Sequence, residues 1–192
     1  MYARLADNTL LFLREIRPDD KDRLLEGLHA LSEESRRRRF LGPKPSLSAS
    51  ELRYLTEVDG ADHYALVAVP DDGPDADHER IVAVARFVRS VDDPQAAEAA
   101  IVVCDEFQGK GLGGLLARRL SDAARDRGVE RLTASISAEN RPALALMRQI
   151  DQRLSSKVGS SVTEMVAKLP MRSADELGEE AASPDSHAAS AA

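Results

Sequence analysis

At 192 residues, 43% of them hydrophobic, the chain is long enough to bury one ordinary core and too short for two, and its single cysteine, Cys104, excludes an intrachain disulfide. The net charge of −7 is concentrated at one end: Asp175, Glu176, Glu179, Glu180 and Asp185 fall in residues 173–192 with no Lys or Arg, and without those five the charge is −2, so nothing marks a nucleic-acid surface. No apolar run reaches the roughly 18 residues of a membrane span, residues 1–4 lead into no signal-like stretch, and His29, His63, His78 and His187 are too scattered for a metal cluster, so a cytoplasmic protein with no membrane contact and no metal is expected.

In chain order, residues 9–16 (TLLFLREI) read as a strand ended by Arg17-Pro18, because proline cannot extend a ladder. Asp19 or Asp20 then caps a helix whose apolar face carries Leu24, Leu25, Leu28 and Leu31. The arginines at 36–39, taken to lie between helices, read as a solvated face or an anion contact. After the stiff loop Gly42-Pro43-Lys44-Pro45, Ser48 or Ser50 starts a helix through Leu55, and residues 64–69 (YALVAV) form a strand. Residues 70–79 (PDDGPDADHE) are a turn-rich acidic loop without EF-hand spacing, a hairpin connection to a long strand over residues 81–89. Asp92-Asp93-Pro94 makes the next turn.

The stretch 97–128 carries the most information. Residues 99–104 are a continuous apolar run that suits a strand buried on both faces. From Leu112 the period changes: Leu112, Leu115, Leu116, Leu120, Ala123 and Ala124 form one stripe, with Arg118, Arg119, Asp122, Arg125 and Asp126 opposite, and Gly128 ends the helix. Between them, Gln108-Gly109-Lys110-Gly111-Leu112-Gly113 sets three residues without a Cβ at the first turn, where backbone N–H groups have no intrahelical partner and an anion can bind. No Lys-Ser or Lys-Thr follows, which argues against a nucleoside-triphosphate loop. Gly109, Gly111 and Gly114 fit G-x-G-x-x-G, but residues 105–108 separate them from the strand, whereas a dinucleotide fingerprint turns tightly off its strand end.

Residues 131–137 (RLTASIS) then form a strand parallel to the organising one through a right-handed crossover. Asn140 caps a helix with Pro142 in its first turn, running to about Ile150. Strands over about 153–158 and 161–169 are joined by Gly159-Ser160, read as a type II′ hairpin, and residues 171–192 read as a disordered acidic Ala/Ser tail.

Gln108, Gly111 and Gly113 fit the pattern Gln-x-x-Gly-x-Gly in full. With a strand before it and an amphipathic helix after it, the segment resembles the pyrophosphate loop of the GNAT superfamily of acyl-CoA N-acyltransferases. The element order resembles the GNAT fold over residues 1–170, which implies an α/β fold with a mixed sheet of about seven strands, about four helices and a splayed parallel strand pair. Ile16-Arg17-Pro18-Asp19-Asp20, Leu31-Ser32-Glu33-Glu34-Ser35-Arg36, Arg39-Phe40 and Leu55-Thr56-Glu57-Val58-Asp59 resemble the catalytic domain of bacterial protein lysine acetyltransferases, the kind that inactivate acyl-CoA synthetases.

The resemblance implies transfer of an acetyl group from acetyl-CoA to a primary amine by direct attack. A protein lysine is the expected acceptor; a small-molecule amine, or a non-catalytic acyl-CoA sensor, is the alternative. It implies that pantetheine inserts between the splayed strands at Ile101 and Val103, and that Gln108, Gly109, Lys110, Gly111, Leu112 and Gly113 surround the pyrophosphate. It also assigns Asn140 a cofactor contact beside its capping role, and makes Glu98 the general base. The chemistry supports a base independently: a lysine amine of pKa near 10.4 is only about 1 in 2,500 neutral at pH 7, a cost of roughly 4.6 kcal/mol. Glu98 is the only ionisable residue between Asp93 and Cys104, at the mouth of an apolar strand where desolvation is expected to raise its pKa. Cys104 near a helix N-terminus is the alternative, as a nucleophile. Residues 143–150 hold no tyrosine to protonate the leaving thiolate, so no acid is assigned.

Overall fold

Apolar segments of period two or of continuous β-branched character become eight strands among the described residues: β1 (Tyr2–Arg4), β2 (Leu10–Glu15), β3 (His63–Pro70), β4 (Ala83–Arg89), β5 (Ala96–Val103), β6 (Arg131–Ser137), β7 (Ser155–Val158) and β8 (Val162–Lys168). The structure, a computed structural model, describes residues 1–71, 79–159 and 161–170. The strands form one mixed sheet in the order β1-β2-β3-β4-β5-β6-β8-β7. All neighbours are antiparallel except β5 and β6, which are parallel as the crossover requires. Helices α1 (Lys21–Ala30), α2 (Glu33–Phe40) and α3 (Ala49–Thr56) join β2 to β3; α4 (Leu112–Asp126) joins β5 to β6; α5 (Arg141–Ile150) joins β6 to β7.

The apolar stripe of α4 packs as its period demands. Leu112, Leu116, Leu120 and Ala124 are at most 1% exposed, in one cluster with Phe87, Val67 and Leu11. A second cluster, Ala134, Ile136, Met147, Met165 and Ala167, belongs to α5, β6 and β8. The core therefore divides near the β5–β6 junction, where the strands part.

Several expectations need correction. β1 is an added strand, its Tyr2 paired with Phe12, and three residues carry no readable period. The arginines at 36–39 lie in a helix and not between helices: Ser32 caps α2 through its hydroxyl to Ser35 N–H (3.2 Å), with Glu33 and Glu34 in the first turn and Arg37, Arg38 and Arg39 in the last, matching the helix dipole. With almost no apolar periodicity, α2 had no pattern to betray it. Asp20 stands at the N-cap position of α1, but its buried carboxylate does not cap the helix; it accepts from Arg14 Nη1 (2.7 Å), Arg14 Nη2 (2.8 Å), the Arg17 N–H (2.8 Å) and Arg23 Nη1 (3.2 Å). Ser48, not Ser50, caps α3, in a reciprocal box with Glu51. Gly159 lacks the left-handed φ of a type II′ turn and donates its N–H to Val162 O at 2.8 Å. The turn residue Ser160, most of the acidic loop and the tail lie outside the described residues.

Candidate active site

The parallel ladder between β5 and β6 has three rungs, Ala96↔Arg131, Ala97↔Leu132 and Glu98↔Thr133, and then stops. Beyond it, β5 continues to Val103 paired only with β4. This corrects the expectation of a strand buried on both faces: residues 99–103 are half-buried, because no strand covers their outer edge. The phase of the β4–β5 ladder follows from the two bonds that flank it, Ser90 N–H to Ala96 O (2.9 Å) and Cys104 N–H to Val82 O (2.8 Å). Even-numbered residues of β5 thus bond to β4, and the N–H and C=O of Ile101 and the N–H of Val103 face the opening, the Val103 carbonyl being taken by Gln108 Nε2. An exposed strand edge of this kind is a template for an extended ligand rich in amide groups.

The opening leads to the glycine segment. A 3₁₀ turn over Asp105–Phe107 brings the chain round, with Gln108 N–H donating to Asp105 O at 3.2 Å. Gly109 (φ 73°) and Gly111 (φ 89°) then take the left-handed conformation that only glycine adopts cheaply, with nothing within 4 Å of where a Cβ would project. The first bond into α4 is Leu115 N–H to Gly111 O at 3.1 Å, and the N–H groups of residues 109–114 have no acceptor among the described residues. These unsatisfied donors at the N-terminus of a 15-residue helix suit a phosphate. Gly113 differs: a Cβ there would lie 3.3 Å from Leu146 Cδ1, so its smallness serves the packing of α4 on α5.

The loop is held by groups distant in sequence. Asp105 accepts from the Ser32 N–H (2.9 Å), the Ser32 hydroxyl (2.9 Å) and the Ser35 hydroxyl (2.8 Å). Gln108 Nε2 donates to Ser35 Oγ (3.2 Å) and Val103 O (2.9 Å), so its side chain ties α2 to the end of β5. Burial alone would raise the Asp105 carboxyl, but the hydrogen bonds from Ser32 and Ser35 outweigh it and hold the pKa below the usual carboxylate value. Lys110 does not stand as an unpaired positive charge: its Nζ pairs with Asp7 Oδ2 at 2.9 Å and lies over the Phe107 ring. Asn140 caps α5, its Oδ1 accepting from Ala143 N–H at 3.2 Å.

Glu98 occupies the last paired rung before the strands part, and its side chain is exposed and not enclosed by apolar neighbours as expected. Other carboxylates nearby in sequence to α3 are engaged elsewhere: Glu57 pairs with Lys21 at 2.7 Å, and one Asp59 oxygen accepts N–H bonds from Ala61, Asp62 and His63 at 2.7, 2.8 and 2.9 Å. Both are held below the usual carboxylate range by these partners, which makes them weak bases. Burial pushes the Cys104 thiol up, against a thiolate nucleophile. On the Glu98 side of the sheet the structure also gathers Arg39, which the sequence offered only among arginines of a solvated face or an anion contact, and Arg86, His63 and Tyr54, which it did not mark as site residues. For Arg86 a signal existed: it is the one charge inside the apolar run 81–88.

The model of the family described as acetyltransferase (GNAT) matches residues 28–150. The chain is 37% identical over 144 residues to acetyltransferase Pat of Mycolicibacterium smegmatis, covering 74% of this chain and 40% of that protein, so it spans less than half of that relative's length. It is 33% identical over 138 residues to acetyltransferase PA5475 of Pseudomonas aeruginosa, covering 71% and 72%. The crystal structure of the GNAT domain of S. lividans PAT superposes with a TM-score of 0.76 at 26% identity, covering 88% of this chain and 96% of that one. The split parallel pair, the glycine turn into α4 and these matches agree: the chain belongs to the acetyltransferase (GNAT) family.

Proposed function

We propose that the chain transfers an acetyl group from acetyl-CoA to a primary amine by direct attack, with a protein lysine as acceptor. The observation that carries the reading is the opening of β5 from β6 after Glu98, continuous with the unsatisfied N–H groups of residues 109–114. In this reading, pantetheine lies along Ile101 and Val103, completing the ladder where β6 departs. The pyrophosphate sits on the N–H groups of Gly109, Lys110, Gly111, Leu112 and Gly113, and Gln108 braces the turn from behind through Ser35 and Val103. The thioester then falls near Glu98, which takes the proton of the attacking amine. Asn140, at the start of α5, flanks the opening from the β6 side.

Thiol release from acetyl-CoA by the full chain, measured with lysine peptides, free amino acids and polyamines, tests this. Release that depends on a lysine peptide supports the reading. Release with polyamines or amino acids alone replaces the acceptor, and tight acetyl-CoA binding with no release for any amine leaves a sensor. Mass spectrometry of lysate proteins treated with the chain and acetyl-CoA identifies the modified lysines.

A further inference from the structure

On the face of the sheet that carries α1, α2 and α3, a cavity of about 60 Å³ is walled by apolar side chains, among them Leu28, Phe40 and Val84, and by two guanidinium groups, Arg39 and Arg86. Arg86, on β4 opposite Ala100, is 5% exposed. Its Nη2 donates to Leu55 O at 3.1 Å and its Nη1 meets His63 Nε2 at 3.0 Å. That contact requires Nε2 to be the accepting nitrogen of a neutral imidazole, so neither bond brings Arg86 a negative charge. Arg39 is half-buried at the same cavity; its guanidinium lies 5.0 Å from the Phe40 ring centroid and makes no hydrogen bond among the described residues. Neither arginine is ion-paired there with a carboxylate, and Glu98 is the acid whose charge supports Arg39. Burial and the repulsion of Arg39 hold Arg86 down to about 10. Two cations facing one small cavity with no ion-paired carboxylate among the described residues are costly to maintain, and an anionic ligand reduces that cost.

We propose that Arg39 and Arg86 form a carboxylate-binding subsite for the acceptor, so that the amine presented to Glu98 belongs to a molecule that seats an acidic group in this cavity. The proposal rests on the acetyl-transfer reading above. Glu98 and Arg86 are diagonal neighbours on one face of the β4–β5 pair, about 7–8 Å apart between backbones. In an extended peptide, residues two apart lie on the same side at about 6.6 Å. The acid therefore falls on the second residue before or after the acceptor lysine. The planar guanidinium fork matches a carboxylate bidentately, and the cavity is large enough for a carboxylate with its methylene and too small for a nucleotide.

The test uses the full chain and pairs of lysine peptides identical except for Glu or Gln at the second position on either side. Two quantities are read: kcat/KM from thiol release, and the peptide dissociation constant by calorimetry with CoA present. Glu is expected to be preferred by about tenfold or more in both, with the preference shrinking as salt screens it. Arg39→Gln should reduce the Glu-to-Gln ratio to about twofold or less, and Arg86→Lys, which keeps the charge and loses the fork, should reduce it partly. Both variants are compared as ratios, so a general loss of activity does not imitate the effect, and Arg39→Gln, at the half-buried site, remains informative where Arg86→Lys fails to fold. Equal use of both peptides by the unaltered chain together with no preference for free lysine over cadaverine, or a preference unchanged in Arg39→Gln, overturns the subsite. Free lysine against cadaverine distinguishes the source of the carboxylate: a preference there without one among the peptides keeps the subsite and overturns its peptide occupant. A Glu preference in calorimetry without turnover on any amine leaves the subsite standing and removes the transfer reading, and no preference in either measurement, among the peptides or for free lysine, overturns the subsite.

Discussion

Glu98 stands one rung before β5 and β6 part, so a carboxylate there meets whatever occupies the opening without belonging to the surface that would hold the donor. Replacing it separates the two roles. Glu98→Gln keeps the shape and removes the proton acceptor, so kcat should fall by about 10²-fold or more. Acetyl-CoA binding by calorimetry should be unaltered, and turnover near the original rate would remove the base assignment. The glycines of the turn are separable in the same way. Gly111 has φ 89° and open space around its absent Cβ, so Gly111→Val should cost about 1–2 kcal/mol from the left-handed backbone. It should also abolish the rise in Tm with acetyl-CoA. Gly113 keeps its backbone N–H in the turn, while the place of its absent Cβ lies against Leu146 of α5. Gly113→Val should destabilise by overpacking, about 1–3 kcal/mol, seen in urea unfolding without any ligand.

At the scale of elements, α2 is the brace of the loop. Asp105 collects three bonds from Ser32 and Ser35, and Ser35 passes the constraint to Gln108. Asp105→Asn keeps the size but turns one acceptor into a donor facing donors, which at this exposed site should cost about 0.5–1.5 kcal/mol. It should also weaken acetyl-CoA binding, since the turn loses its anchor. The sign of the pH effect follows from the depressed carboxyl: the clamp's contribution is complete above the unfolded carboxylate value of about 4, and is lost as pH falls through the lower folded value. Acetyl-CoA affinity measured from neutral pH downward should therefore hold until about pH 4, and the acid-side fall due to this group should be missing in Asp105→Asn.

For the molecule as a whole, the Arg14–Asp20 pair joins β2 to the start of α1 inside the protein, with side chains 5% and 0% exposed. Breaking a buried pair strands the remaining charge, so Asp20→Ala should cost about 3–5 kcal/mol in denaturant unfolding. Acid should act in two stages. Burial, and then the charge of Arg86, lower the His63 pKa, so the folded state resists its protonation. That contribution is whole above the unfolded histidine value of about 6.5 and declines below it. Asp20, Asp59, Asp93 and Asp105 are likewise depressed, with Glu51 down to about 2, and their contributions decline below about pH 4. Tm should thus fall gently below about pH 6.5 and steeply below about pH 4, and Arg86→Lys, which leaves a cation facing His63, should not remove the first stage. Acetyl-CoA at 100 times its dissociation constant should add about 2.7 kcal/mol at neutral pH.

The sequence by itself determined the elements whose partners are near in the chain. The change of period at Leu112, the glycines, the cap at Asn140 and the strand at 131–137 were all legible, because hydrogen bonds of a helix, a cap or a turn close over a few residues and leave a local pattern. Tertiary structure alone decided what depends on distant partners. The three-rung ladder and the phase that turns Ile101 and Val103 outward are properties of pairing, not of β5 itself. Asp105 meets Ser35 across 70 positions, and Arg86 meets His63 across 23. Helix α2 has no apolar stripe to announce it, and Lys110 found Asp7 across the fold. A charged side chain can be recognised in a sequence, but its partner, and hence whether its charge is spent or available, is chosen only when the chain closes on itself.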